Sequence, residues 1–155
     1  MAEHQTTGST AAAGKSIGRP MRCIVVTPEA TVRDAAADFV ALPLFDGEIG
    51  IAPGHSPMIG RLGFGEMRIV SAGATERYYV DGGFVEVVDN VVSVLTNRAV
   101  PAEQLDPAVA DQQLTAARAR PANSPELLAI RDRSVSQARA QLRTARRATG
   151  ATTHH

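Results

Sequence analysis

Near Pro101 the apolar periodicity of this chain changes from two to about 3.6, and no single regular element satisfies both halves. From Met21 to Ala99 the apolar residues fall in short runs rich in Val and Ile, cut every few residues by Gly, Pro or Asp. β-Branched side chains at period two favour the pleated, half-buried surface of a sheet. Beyond Pro101 the chain is rich in Ala, Gln and Arg, which favour helix. The break therefore predicts a β-domain at residues 21–103 followed by helices at 104–150.

The β half predicts strands at 22–27, 31–35, 39–43, 58–62, 66–71, 77–80, 84–88 and 91–96. Short strands with frequent turns point to an antiparallel sandwich or barrel. The clearest hairpin turns through Asp89-Asn90, two residues that tolerate positive φ, into the run beginning at Val91. All six aromatic residues lie between positions 39 and 84, so the main core is expected there.

In the helical half, Asp106 before Pro107 and Ser124 before Pro125 are N-caps, each with proline in the first helical position. The first helix is expected to run to Arg120 and the second to about Ala148, before Gly150. They form an antiparallel hairpin with a thin seam: Ala110, Leu114 and Ala117 against Leu128, Val135, Ala138, Leu142 and Ala145. So few aliphatic groups do not offset the entropy of ordering about 40 residues at ~1 to 2 kcal/mol each. The expectation is a hairpin that needs a partner surface and is able to leave it. Residues 1–20, with Ile17 their single bulky aliphatic, are expected to be a disordered extension, and 151–155 a disordered tail.

Charge and motifs narrow the function. Sixteen Lys plus Arg balance sixteen Asp plus Glu, which leaves no overall field for nucleic acid or an anionic membrane. The balance is uneven along the chain: residues 1–101 carry 8 − 11 = −3 and residues 102–155 carry 8 − 5 = +3. From Arg133 the chain has five arginines (Arg133, Arg139, Arg143, Arg146 and Arg147) and no acid, which reads as a solvated basic face or as a surface for an acidic partner. No run reaches the roughly 18 apolar residues of a membrane span, so a soluble or peripheral protein is expected. Cys23 sits in an apolar run and reads as a buried thiol.

The segment L-F-D-G-E-I-G-I-A-P-G-H-S-P, from Leu44 to Pro57, reads as a shaped loop. Pro53-Gly54 suits a type II turn, and Glu48 and His55 are among its few polar groups. There is no nucleophile elbow and no phosphate-binding loop with its lysine, and His55, Cys23 and a carboxylate lack metal-ligand spacing. No catalytic residue, metal or cofactor is expected.

The motif G-E-I-G-I-A-P-G-H-S-P, the later run Y-Y-V-D-G-G-F-V-E-V and the turn into V-V-S-V-L closely resemble the epsilon subunit of F-type ATP synthases, called delta in mitochondria. The likeness runs from about Arg22 to the end of the second helix, in order and at the right spacing. It implies a ten-stranded β-sandwich plus helical hairpin, and a non-catalytic central-stalk part that grips the gamma subunit and rests on the c-ring. By that resemblance Glu48 and His55 stand in the loop facing the c-ring; the alternatives are a solvated charge and a turn residue. Gly82, Gly83 and Phe84 belong to the second motif, where the glycines serve backbone geometry or binding. The hairpin is implied to inhibit ATP hydrolysis by reaching the alpha/beta catalytic head, with Arg133, Arg139, Arg143, Arg146 and Arg147 as contacts. The implied place is the cytoplasmic face of a bacterial inner membrane, or an organelle inner membrane, reached only through the complex. Family members that bind ATP at the hairpin carry I/L-D-x-x-R-A; here Leu105-Asp106 is kept, but Val109 replaces the arginine, and Gln137 and Gln141 stand where further arginines occur. Asp106 is thus a doubtful nucleotide residue, and ATP sensing by the hairpin is the alternative function.

Overall fold

The computed structural model describes residues 21–152. The extension expected at 1–20 and the last three residues of the expected tail lie outside them. The strands are β1 (Met21–Val26), β2 (Thr31–Ala37), β3 (Phe39–Leu44), β4 (Gly47–Ile51), β5 (Met58–Ser71), β6 (Ala74–Val88), β7 (Val91–Leu95) and β8 (Ala99–Pro101). A single 3₁₀ turn, Ala102–Gln104, leads to helices α1 (Pro107–Arg118) and α2 (Pro125–Thr152).

The strands follow the order β2-β1-β7-β6-β5-β3-β4, with β8 added on β6. β5 and β6 form the spine, paired antiparallel from Met58↔Val87 to Ser71↔Ala74. The first half of β6 pairs with β8 (Tyr79↔Val100) and its second half with β7 (Val85↔Val94), so this one ribbon serves both layers. Between the layers lies one core, with Cys23, Val25, Val85, Val87 and Val92 packed in the same cluster as Val40, Leu42, Ile51, Met67 and Ile69.

The glycines explain where sequence and structure differ. The expected strands 58–62 and 66–71 are one strand, as are 77–80 and 84–88, because Gly63, Gly65, Gly82 and Gly83 let the ribbon pass between layers without ending it. Counting the halves of β5 and β6 separately turns eight strands into 8 + 2 = 10, the number the resemblance implies. The loop expected at 44–57 contains a true strand, β4, whose Gly50 lets the Phe39 ring lie close over it: a Cβ there would be 2.7 Å from the ring and would push it aside. One pair departs from the antiparallel pattern: β1 runs parallel to β7, from Arg22↔Val91 to Val26↔Leu95. Most of the sandwich separates these two strands in sequence, so no short connection constrains their direction.

Both helix starts are capped by side chains. Asp106 Oδ1 accepts from the Ala108 N–H at 2.9 Å, and Ser124 Oγ accepts from the Leu127 N–H at 3.2 Å. α1 ends at Arg118, two residues before the expected end, and α2 passes Gly150 to Thr152, so positions 151 and 152 are helical rather than tail. A helical glycine costs about 1 kcal/mol but does not stop the helix. Ala110, Leu114, Ala138 and Leu142 form the hairpin's own cluster, with Val135 beside it. Leu128, expected in the seam, stays 40% exposed. Among the described residues no helix is long and apolar enough to cross a membrane.

Candidate functional site

The outward face of β5, β6 and β7 is unusually apolar for a surface. Phe84 pairs with both Leu95 and Arg61, and Ile59 lies two residues from Arg61, so these side chains share one face. Ile59 is 76%, Phe84 58% and Leu95 52% exposed. The face is shaped by Gly82 and Gly83, at φ +67° and +107°. At Gly83 a Cβ would meet the Leu95 carbonyl oxygen and lie 2.8 Å from the Thr96 Cα, so β6 reaches β7 there only as glycine. The result is an open cleft of ≈ 1040 Å³ lined by Arg61, Phe64, Gly83, Phe84, Leu95 and Arg133, among others. Arg133 comes from α2, its guanidinium 5.9 Å from the centre of the Phe64 ring. Sequence reasoning singled out Gly82, Gly83, Phe84 and Arg133 separately; the structure brings them to one cleft. It missed Arg61, Phe64 and Leu95, for which only strand register supplies the signal.

The β4 segment and the turn after it form a second site. Glu48 sits on exposed β4, where its Oε1 accepts from Arg68 Nη2 at 2.9 Å. The Ala52-Pro53-Gly54-His55 turn closes through the His55 N–H to the Ala52 carbonyl at 3.2 Å, with Gly54 at φ +85°. Gly54 N–H donates to Asn90 Oδ1 at 2.7 Å, which ties this turn to the β6–β7 hairpin. His55 Nδ1 lies 2.7 Å from the Ser56 carbonyl oxygen. Glu48 is thus paired with Arg68 and His55 with Ser56, and no hydrogen bond joins the two.

Among the described residues Glu66 is the one buried carboxylate, its side chain 3% exposed. Its Oε1 accepts from Arg77 Nη1 at 2.8 Å and Arg68 Nη1 at 3.4 Å, with Arg147 Nη1 of α2 at 3.8 Å. Arg68 therefore bridges Glu48 and Glu66. Nothing in the sequence spacing marked this cluster, because its members meet only through sheet pairing and helix docking.

On the hairpin, Arg139, Arg143, Arg146 and Arg147 surround a hollow of ≈ 450 Å³ with Leu114 and Leu142. Asp106 is engaged as the α1 cap, and Val109 is exposed. Gln137 Nε2 donates to Asp81 Oδ1 at 3.0 Å, so this side chain is turned to the sandwich. Burial pushes the Tyr79 phenol up to about 12, and Asp81 adds to the rise; the hydroxyl is buried with no hydrogen-bond partner among the described residues. Burial likewise pushes the Cys23 thiol up to about 12, with Glu76 adding to it. Among the described residues no group of three His, Cys, Asp or Glu is placed to hold a metal ion.

The chain is thus a β-sandwich with an open apolar face and a helical hairpin laid on it. Residues 20–102 match the family model of the ATP synthase delta/epsilon chain β-sandwich domain. The ATP synthase epsilon chain of Rhodopirellula baltica is 52% identical over 126 residues, covering 81% of this chain and 98% of that relative. That of Carboxydothermus hydrogenoformans is 45% identical over 96 residues, covering 62% of this chain and 72% of the relative. In fold, the chain is similar to a chain of the Euglena gracilis mitochondrial ATP synthase OSCP/F1/c-ring structure, with TM-score 0.68 at 22% identity over 98% of this chain and 90% of that one. The chain belongs to the delta/epsilon family of ATP synthase subunits.

Proposed function

We propose that this chain is a non-catalytic central-stalk subunit of an F-type ATP synthase, coupling the gamma subunit to the c-ring and inhibiting ATP hydrolysis through its hairpin. The observation that carries this reading is the exposed face of Ile59, Phe84 and Leu95 over the Gly82-Gly83 bend, in a chain of this family. Exposed hydrocarbon of this extent favours a protein partner, and gamma fits the family. Gly82, Gly83 and Phe84 then shape the gamma contact. Glu48 and His55, on β4 and the turn after it, face the c-ring. Arg133, Arg139, Arg143, Arg146 and Arg147 supply the hairpin's contacts with the alpha/beta head. The subunit is peripheral, on the cytoplasmic face of a bacterial inner membrane or the matching face in an organelle, and is held there by the complex.

Co-purification with gamma tests the reading. Phe84→Asp together with Leu95→Asp adds two carboxylates to an outward face and leaves the core untouched, so gamma should be lost from the pull-down while the circular dichroism spectrum is unchanged. Retention of gamma by this variant would reject the face. Glu48→Lys should weaken coupling between rotation and ion transport while the sandwich stays folded, and wild-type pumping and synthesis would reduce Glu48 to a partner of Arg68.

The arginine-lined hollow favours a second reading, in which the hairpin senses ATP. Against it stand Val109 and the engagement of Gln137 by Asp81. Isothermal titration with ATP separates the two readings. The isolated protein is expected to bind no tighter than roughly 10 μM, about −7 kcal/mol, and tighter binding would favour the sensor.

A further inference from the structure

α2 lies on the sandwich without joining its core. The larger aliphatic residues form two separate clusters, one inside the sandwich and one between the helices, while Tyr79, Ala140 and Ala145 are buried outside both. The side chains that α2 turns to the sandwich recur at one-turn spacing and are polar: Arg133 over Phe64, Gln137 on Asp81, Gln141 beside the Tyr79 hydroxyl and, farther along, Arg147 near Glu66. The buried apolar residues that α2 adds there are small: Ala140 lines a hollow of ≈ 200 Å³ between helix and sandwich, together with Glu66 and Thr144.

These contacts are not equal. Arg147 is about half exposed and 3.8 Å from its carboxylate, a geometry that solvent and salt weaken. Gln137 to Asp81 is a partly buried bond of 3.0 Å to a carboxylate oxygen, within hydrogen-bond geometry where the Arg147 contact is not. The backbone of Asp81 is also held by the sandwich itself. Its N–H donates to the Arg98 carbonyl and to Thr96 Oγ1, both at 3.1 Å, and its own carbonyl accepts from Asn97 Nδ2 at 3.1 Å. A fixed backbone beneath the acceptor spares the bond part of the ordering cost of docking.

We infer that the Gln137–Asp81 hydrogen bond is the lock that holds the hairpin on the sandwich, so that a polar pair, added to the burial of Tyr79 and small alanines, sets the balance between docked and released hairpin. Opening the lock exposes amide and carboxylate, which water solvates, and this lowers the cost of also uncovering the Tyr79 ring. The hairpin keeps its own small core in either position. The regulatory meaning of the lock rests on the proposed inhibitory role; the lock itself is a property of the isolated chain.

The test is the distance between spin labels at Thr75→Cys on the sandwich and Glu126→Cys on α2, both exposed sites, in the full chain. The unmodified lock should give a dominant docked distance. Gln137→Glu sets a second carboxylate against Asp81 and should move the docked-to-released ratio at least tenfold toward release, while helix content by circular dichroism is unchanged. Asp81→Asn in the Gln137→Glu background restores a donor opposite a carboxylate and should return the docked distance. Gln137→Met keeps the size and removes the bond, and should also shift the ratio toward release. An unshifted ratio in Gln137→Glu, failure of Asp81→Asn to restore docking, or firmer docking with Gln137→Met would each overturn the lock. If Gln137→Glu unfolds, the Gln137→Met result decides alone. Hydrolysis by the assembled enzyme separates the two claims: distances that shift with unchanged hydrolysis keep the lock and reject the inhibitory role, whereas distances that do not shift reject the lock whatever hydrolysis does.

Discussion

A Cβ at position 83 would collide with the Leu95 carbonyl, a backbone group that cannot swing aside, and φ is +107° there. Gly83→Ala should therefore cost more than about 3 kcal/mol, through strain and loss of β6–β7 pairing. Gly73→Ala, in a turn at φ +80° with open space around it, should cost only about 1 to 2 kcal/mol. Thermal denaturation of both variants checks the contrast, and equal losses would show that the close approach to Leu95 is unimportant. Alkaline pH probes the same core. Cys23 rises from 9.0, and Tyr79 from 10.0, each to about 12 in the folded chain, so between those values the folded state holds more protons than the unfolded one. Their contribution is intact below pH 9 and is lost as pH climbs from 9 toward 12. Denaturant midpoints measured across that range should fall, and Cys23→Ala should remove the part that begins near pH 9. The sequence showed Cys23 among apolar neighbours and a Gly-Gly pair, which sufficed to expect a buried thiol. It did not show that Leu95 presses on Gly83, because eleven residues, a hairpin turn among them, intervene.

At the scale of elements, periodicity located the helices and most strands, and glycine misled where it bends a strand instead of ending it. β4 went unread for that reason, and β8 because three residues carry no period. The helical seam was legible in six of its eight expected buried positions: Ala110, Leu114, Ala117, Ala138, Leu142 and Ala145 are buried, whereas Val135 is half-buried and Leu128 is exposed. The length mismatch explains what periodicity alone could not. At 1.5 Å per residue, the 12 residues of α1 span about 18 Å and the 28 of α2 about 42 Å, so much of α2 finds no helix beside it. The rest meets the sandwich or solvent, as Gln137 and Arg147 do. Leu142→Ala should open this small core, at about 2 to 3 kcal/mol for a partly collapsible site. Hydrogen exchange should rise across α1 and α2 while the strands of the spine keep their protection. Exchange that rises equally in β5 and β6 would mean that hairpin and sandwich unfold as one unit.

For the whole molecule, the charge division along the sequence becomes a division in space: the helices carry the surplus of arginine, and the sandwich holds the buried Glu66. Arg133 also forms part of the wall of the cleft proposed for gamma; if gamma occupies that cleft, its binding and hairpin docking are linked, each altering the other by the same factor. The inhibitory role makes a distinct demand. From Arg133 to Arg147 the helix carries five positive charges and no acid. If an acidic surface on the head receives them, a chain ending at Gln104 should leave the sandwich bound to gamma yet raise ATP hydrolysis several-fold. Reversing Arg139, Arg143 and Arg146 to Glu should do much the same without shortening the chain, since none of the three has an ion pair with the sandwich among those described. Added salt should relieve inhibition by the intact subunit, because exposed charges are screened within about 8 Å at physiological ionic strength. Steady-state hydrolysis by the assembled head, measured with intact, shortened and charge-reversed subunits at low and moderate salt, decides the matter. Equal rates for all three leave the hairpin without an inhibitory role, and inhibition that survives charge reversal assigns it to the exposed apolar residues Leu127, Leu128 and Ile130 at the start of α2.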